Sequence, residues 1–209
     1  MITLNARQTD ALTELINITF GLTAARLSEM SDSRVLMEVP VVGVHPVQGM
    51  AGELGPLISD ADASVHQVFS GPISGDAILL MDYAGAVTLS NLFVEEHLRS
   101  QKFDSSTGEI LTEVGNMLLS ACLGMFGNLL QVHVTFSVPQ LHLESSGDFM
   151  APVSVGGDER RYALVITASF NIFGEGVNGR IVIVLGKSSL ELLTEAVDRW
   201  EGSPAAVSL

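Results

Sequence analysis

Residues 106–139 read STGEILTEVGNMLLSACLGMFGNLLQVHVTFSVP, and the fold turns on this stretch. Ser106 followed by Glu109 has the form of a capping box, so a helix is expected to start there. Gly127 and Asn128 offer it a stop. Beyond them Val132, Val134, Phe136 and Val138 alternate with other residues, the period of a half-buried strand. Glu113 and Asn116 stand three apart, which makes them neighbours on one helical face. Twenty-two residues separate Asn116 from Pro139.

The N-terminal part of the chain carries the same spacing. Glu14 and Asn17 are three apart, and twenty-two residues separate Asn17 from Pro40. Glu14 and Glu113, Asn17 and Asn116, and Pro40 and Pro139 each lie 99 positions apart. A three-point match repeated at one offset indicates a duplicated unit folded about a pseudo-two-fold axis. One domain spanning residues 1–209 is expected, built from repeats at about 5–100 and 104–200 and ending in a frayed tail at 201–209.

The rest of the composition narrows the function. An apolar fraction of 47% and a mean hydropathy of +0.39 describe a globular chain with ample core. A net charge of −14, with only ten Lys and Arg, argues against nucleic acid or an anionic membrane as partner. It leaves a basic protein surface open. Cys122, the single cysteine, excludes an internal disulfide framework and fits a reducing, cytoplasmic compartment. Its apolar neighbours give it the reading of a small buried side chain. The first ten residues, MITLNARQTD, hold no apolar signal region. Residues 117–136 lack Asp, Glu, Lys and Arg over the length of a membrane span. Gly124, Gly127, Asn128, Gln131 and His133 interrupt that run, so it reads as a buried helix followed by a strand.

In chain order, Thr9 and Asp10 are candidate caps for a helix reaching Met30, with Leu12, Leu15, Thr19, Leu22 and Leu27 as its apolar stripe. A second line, Glu14, Asn17, Gly21 and Ala24, is matched by Glu113, Asn116, Ser120 and Leu123. An acid and an amide flanked mostly by small residues form a face that another protein can approach closely; an ordinary solvated face is the plainer alternative. Residues 35–44 read as one strand, with Pro40 marking an edge or bulge. A loop with room for a short helix covers 45–64. Strands follow at 65–70 and 76–83, then a helix over 88–99 and a link at 100–105. The second unit repeats the order: a helix over 107–126, a strand over 132–143, a loop over 144–160, strands at 162–172 and 180–185, and a helix over 188–200. Helices with hairpin-joined antiparallel strands give an α+β fold, with two long helices packed on an antiparallel sheet.

Other candidate chemistry is weak. Residues 174–179, GEGVNG, match G-x-G-x-x-G, but a strand and not a helix is expected after them, so a Gly-rich hairpin loop is the better reading. The histidines at 45, 66, 97, 133 and 142 show no metal-ligand spacing; His142 and Glu144 share a strand face, but two ligands do not make a site. There is no nucleophile elbow and no phosphate loop. What remains is two acid–amide pairs. An amide donates and accepts, so it can orient a water. A carboxylate can pair with a lysine. Such a pair on an exposed helix has the form of half an active site, completed by a partner, as a GTPase-activating protein completes a phosphoryl site.

The pattern Asp10-x3-Glu14-x2-Asn17-x22-Pro40, with Glu113-x2-Asn116-x22-Pro139, resembles the duplicated signature of the CheC/CheX/FliY phosphatase family of chemotaxis proteins. The resemblance covers about residues 5–200, and two copies in one chain match the CheC arrangement. Two positions depart from it. Glu109 stands where Asp or Ser is usual, and Ile16 stands where Gly often precedes the Asn, whereas the second copy keeps Gly115. Either copy is therefore open as the weaker site.

The resemblance implies dephosphorylation of a CheY-type response-regulator receiver domain, whose phosphate sits on an aspartate beside Mg²⁺ and a lysine. Asn17 and Asn116 would position the attacking water, and Glu14 and Glu113 would pair with the receiver lysine. Asp10 and Glu109 would belong to the partner-binding face, and Pro40 and Pro139 would shape the strand after each helix. The chain would need no cofactor of its own, since Mg²⁺ comes with the receiver. The deamidase CheD is a further partner in some members. A non-catalytic module of the flagellar switch and chemotaxis apparatus is the alternative, disfavoured by the presence of both acid–amide pairs. A small-molecule hydrolase is disfavoured because no nucleophile and base share a recognisable spacing.

Overall fold

The computed structural model describes residues 3–47, 62–91, 93–94, 99, 102, 104–143, 161–172 and 175–201. Two 26-residue helices dominate it, α1 (Ala6–Ser31) and α3 (Ser105–Leu130). Their first residues, last residues and left-handed C-caps, Asp32 and Gln131, are each 99 positions apart. The duplication therefore extends from motif to element boundaries.

Both helices start earlier than the expected caps. Asn5 caps α1: its side-chain oxygen accepts from the Gln8 N–H at 2.9 Å, and the Gln8 side chain accepts from the Asn5 N–H at 3.0 Å. Asp104 caps α3 in the same reciprocal way with Thr107. Thr9, Asp10, Ser106 and Glu109 thus lie inside the helices, Asp10 and Glu109 just past the first turn. Asn and Asp are strong N-caps, and a side chain three residues on closes each box. At its other end α3 passes Gly127 and Asn128 and stops at Gln131, whose N–H bonds back to both carbonyls.

Two shorter helices complete the set, α2 (Tyr83–Asn91) and α4 (Lys187–Glu201). The helix expected over 88–99 therefore begins at Tyr83, and part of its expected C-terminal half lies outside the described residues. So do most of the expected loops, the link at 100–105 in part, and the tail after Glu201.

The eight strands are β1 (Val35–Met37), β2 (Val41–Pro46), β3 (Ala63–Ser70), β4 (Gly75–Met81), β5 (Thr135–Phe136), β6 (Gln140–His142), β7 (Arg161–Ile172) and β8 (Glu175–Gly186). They form one sheet in the order β1-β7-β8-β4-β3-β5, with β2 also on β7 and β6 also on β3, and every pairing is antiparallel. The two prolines split what the sequence reads as single strands, because proline has no N–H for the ladder. The GEGVNG run lies largely in β8 and not in a loop: Gly176 pairs with Asn171 and Gly179 with Ala168. A strand follows it, as a nucleotide fingerprint would not have.

The register repeats across the two halves. Met37 pairs with Phe170 as Phe136 pairs with Phe69, and Val41 pairs with Thr167 as Gln140 pairs with His66. The Glu38 N–H donates to the Ser169 carbonyl as the Ser137 N–H donates to that of Val68. The strand after each long helix thus pairs with the other half's hairpin, and the pseudo-axis passes between β4 and β8. In this register Ala168 of β7 stands where Gln67 stands in β3.

Both long helices pack on one sheet face, against Val65, Phe69, Leu79, Leu164, Ile166, Ile181 and Ile183. Core volumes are exchanged about the axis: buried Phe20 corresponds to Leu119, and buried Leu27 to Phe126. Burying each such side chain contributes about 1.5–3 kcal/mol. The apolar stripe of α1 differs from the expected one at Leu22, which is exposed, while Ile16 and Phe20 are buried. α3 has the length and composition of a membrane span, with half of its most apolar window buried in the fold.

Candidate functional site

Burial of one helix face fixes what the other face shows. On α1, Leu12, Leu15, Ile16 and Phe20 face the sheet, leaving Asp10, Glu14 and Asn17 exposed at i, i+4 and i+7. On α3, Leu111, Val114, Gly115 and Leu118 are buried, with Glu109 and Glu113 exposed and Asn116 half-buried. The two acid–amide pairs therefore sit on the outer side of neighbouring helices. The lines drawn through them in the sequence turn inward at their ends, since Ala24 and Leu123 are buried.

The two asparagines differ in their surroundings. Asn116 Oδ1 accepts from Gln67 Nε2 at 2.9 Å and from the Ser120 hydroxyl at 3.2 Å. Gln67 Nε2 also donates to the Ser137 carbonyl at 3.0 Å. That carbonyl can only accept, so it fixes which end of the Gln67 amide faces the pair. Gln67 Nε2 in turn fixes Asn116, because turning the asparagine over would bring two N–H donors together. The Asn116 –NH₂ donates to nothing among the described residues. Asn17 has no side-chain hydrogen bond at all among them.

The residue before each asparagine explains the contrast. A Cβ on Gly115 would lie 2.8–2.9 Å from the Val65 side chain, so α3 approaches β3 as closely as only glycine permits. This brings Asn116 within reach of the strand. Ile16, fully buried at the matching place, holds α1 off by a side chain.

Beside Asn116, a shallow hollow between the two helices is lined by Thr23, Arg26, Met117, Ser120 and Ala121. Arg26 is exposed and makes no ion pair or hydrogen bond among the described residues. It is a cation in a chain of net charge −14. Among the described residues no three of His, Cys, Asp and Glu gather to hold an ion. Cys122 is fully buried, and burial pushes its thiol far above the ordinary range.

Gln67 and Arg26 escaped the motif reading because they lie far from it in sequence. Gln67 did leave a signal: it occupies the core-facing position between Val65 and Phe69, where alternation calls for an apolar residue.

Comparison with known proteins agrees with this architecture. No family model matches the chain. It is 27% identical over 150 residues to a Bacillus subtilis (strain 168) protein named CheY-P phosphatase CheC, covering 67% of this chain and 68% of that one. The crystal structure of Thermotoga maritima FliY superposes with a TM-score of 0.71 at 16% identity, covering 95% of this chain and 99% of that one. The middle domain of FliM from H. pylori gives 0.64 at 12% identity, covering 92% and 99%. In sequence the chain is similar to CheC, and in fold to FliY and the FliM middle domain, the likeness expected of the CheC/CheX/FliY family.

Proposed function

We propose that the protein is a phosphatase acting on the aspartyl phosphate of a CheY-type receiver domain, with α1 and α3 each offering one site. The observation that carries this is the pair of outward-facing acid–amide sets, Glu14 with Asn17 and Glu113 with Asn116, repeated on adjacent helices. The curated relative's name points the same way. The likeness to CheC ties this reading to chemotaxis, whose compartment is the cytoplasm.

The chemistry divides between the partners. The receiver, as substrate, brings phosphorus, Mg²⁺ and a lysine that together stabilise developing charge. This chain adds an amide that holds a water in line with the phosphorus; orientation of that kind contributes several kcal/mol. Each glutamate pairs with the receiver lysine and sets the register, a charge-assisted contact. Neither residue forms a covalent bond to the phosphoryl group, so the site needs no nucleophile of its own.

A second reading, a non-catalytic binding module, is favoured by the likeness in fold to the FliM middle domain. One experiment separates the two. Phosphorylated CheY-type receiver is mixed with the protein and phosphate release is followed. Release faster than the receiver's own rate supports the phosphatase; binding with no acceleration supports the module.

A further inference from the structure

Gln67 is the most unusual polar side chain of the helix-facing core. It is 1% exposed, sits among Val65, Phe69 and Leu79, and its Oε1 has no hydrogen-bond partner among the described residues. An orphaned buried carbonyl costs stability, a cost that an apolar residue would avoid. Its other end makes two bonds, to Asn116 Oδ1 and to the Ser137 carbonyl. Ser137 is itself tied to β3: its N–H donates to the Val68 carbonyl at 2.8 Å, and its hydroxyl accepts from the Val68 N–H at 3.0 Å. The chain of contacts thus runs from the sheet backbone through Gln67 to the Asn116 amide.

We infer that Gln67 is a positioning residue for Asn116, locking the amide plane with its oxygen turned inward and its –NH₂ turned toward the docking face. The inference rests on the phosphatase reading above and adds a functional inequality between the two sites. Asn116 meets the receiver already oriented. Asn17 does not: Ala168 stands at the register position of Gln67, and alanine has no group with which to bond. Water bound at the second site therefore meets a fixed donor, whereas at the first site the amide must be ordered on docking. The orphaned Oε1 is the stability cost of placing a donor at that spot.

The test reads each site alone. Gln67→Met keeps length and removes the donor. In an Asn17→Ala background, which reports the Asn116 site, it should lower kcat about tenfold or more while KM moves less than about twofold, because orientation and not docking is lost. In an Asn116→Ala background, which reports the Asn17 site, any loss should be at least about fivefold smaller. An equal fall in both backgrounds would reduce Gln67 to a structural residue, and an unchanged kcat at the Asn116 site would overturn the inference. Side-chain amide relaxation gives a readout independent of catalysis. The Asn116 amide should be rigid and the Asn17 amide flexible on the ps–ns timescale, with a clearly lower order parameter at Asn17. Gln67→Met should release Asn116. Equal mobility of the two amides in the unmodified chain would refute the brace. Absence of any phosphate release would instead count against the phosphatase reading, with the relaxation result still deciding the brace.

Discussion

Replacing Gly115 with alanine tests the close approach on which the second site depends. The new methyl carbon would stand 2.8–2.9 Å from Val65 Cβ and both of its γ carbons. Carbon atoms pack at about 3.5–4.0 Å, so α3 must lift from β3 by roughly 0.7–1 Å. Turning Val65 to another rotamer gives no relief, since its Cβ is fixed to the strand. Overpacking costs about 1–3 kcal/mol, and the better helix propensity of alanine returns about 1 kcal/mol. The net expectation is destabilisation of about 0–2 kcal/mol. The same lift would stretch the 2.9 Å Gln67–Asn116 bond to about 3.6–3.9 Å, beyond bonding range. Gly124, in the same helix, is the control: a Cβ there meets nothing within 4 Å, so Gly124→Ala should stabilise by about 0.5–1 kcal/mol. Urea unfolding measures both, and phosphate release in the Asn17→Ala background measures the site. Val65→Ala should reduce the cost of Gly115→Ala, a coupling that a double-mutant cycle reads directly. A Gly115→Ala protein as stable as Gly124→Ala, with undiminished activity at the Asn116 site, would refute the close-approach argument.

Arg26→Glu should weaken receiver docking at the Asn116 site about 2–5-fold, read as a KM change in the Asn17→Ala background that shrinks with added salt. Cys122 should resist thiol reagents in the native protein at pH 8 and react once the chain is unfolded in denaturant, since burial holds its thiol protonated. Asp104→Ala should lower the melting temperature. The bonds from Thr107 hold the Asp104 carboxyl below its ordinary value, so the cap's contribution is present at neutral pH and is lost as pH falls through that lowered value. Thermal melts of wild type and Asp104→Ala should accordingly converge in acid.

Much of the fold was legible because the duplication left its mark twice. The offset of 99 between Glu14 and Glu113 also relates both ends of α1 and α3 and their C-caps. The hairpin expected at 65–70 and 76–83 occurs as β3 and β4, whereas within 132–138 only Thr135–Phe136 is a strand and its alternation is not a half-buried one, since Phe136 and Val138 are exposed; Pro40 and Pro139 mark the interruptions. The helix starts differ from expectation because Thr9 and Ser106 are acceptable caps, while Asn5, four residues earlier, and Asp104, two residues earlier, are paired with side chains that close the box. Leu22 falls off the buried stripe because Ile16 and Phe20, absent from the expected line, turn that stripe toward themselves. The acid–amide pairs were visible as motifs. The brace on Asn116 was not, since a contact between residues 67 and 116 depends on strand register and on the missing side chain at Gly115. The departure at Ile16 was visible, but its consequence required seeing how closely α3 approaches Val65.

The most direct test of the proposed function is phosphate release from phosphorylated CheY-type receiver by the Asn17→Ala/Asn116→Ala double variant at saturating receiver. The account predicts that the rate falls to that of the receiver alone, with receiver binding largely kept because Glu14 and Glu113 remain. Release at the wild-type rate by a folded double variant would contradict it.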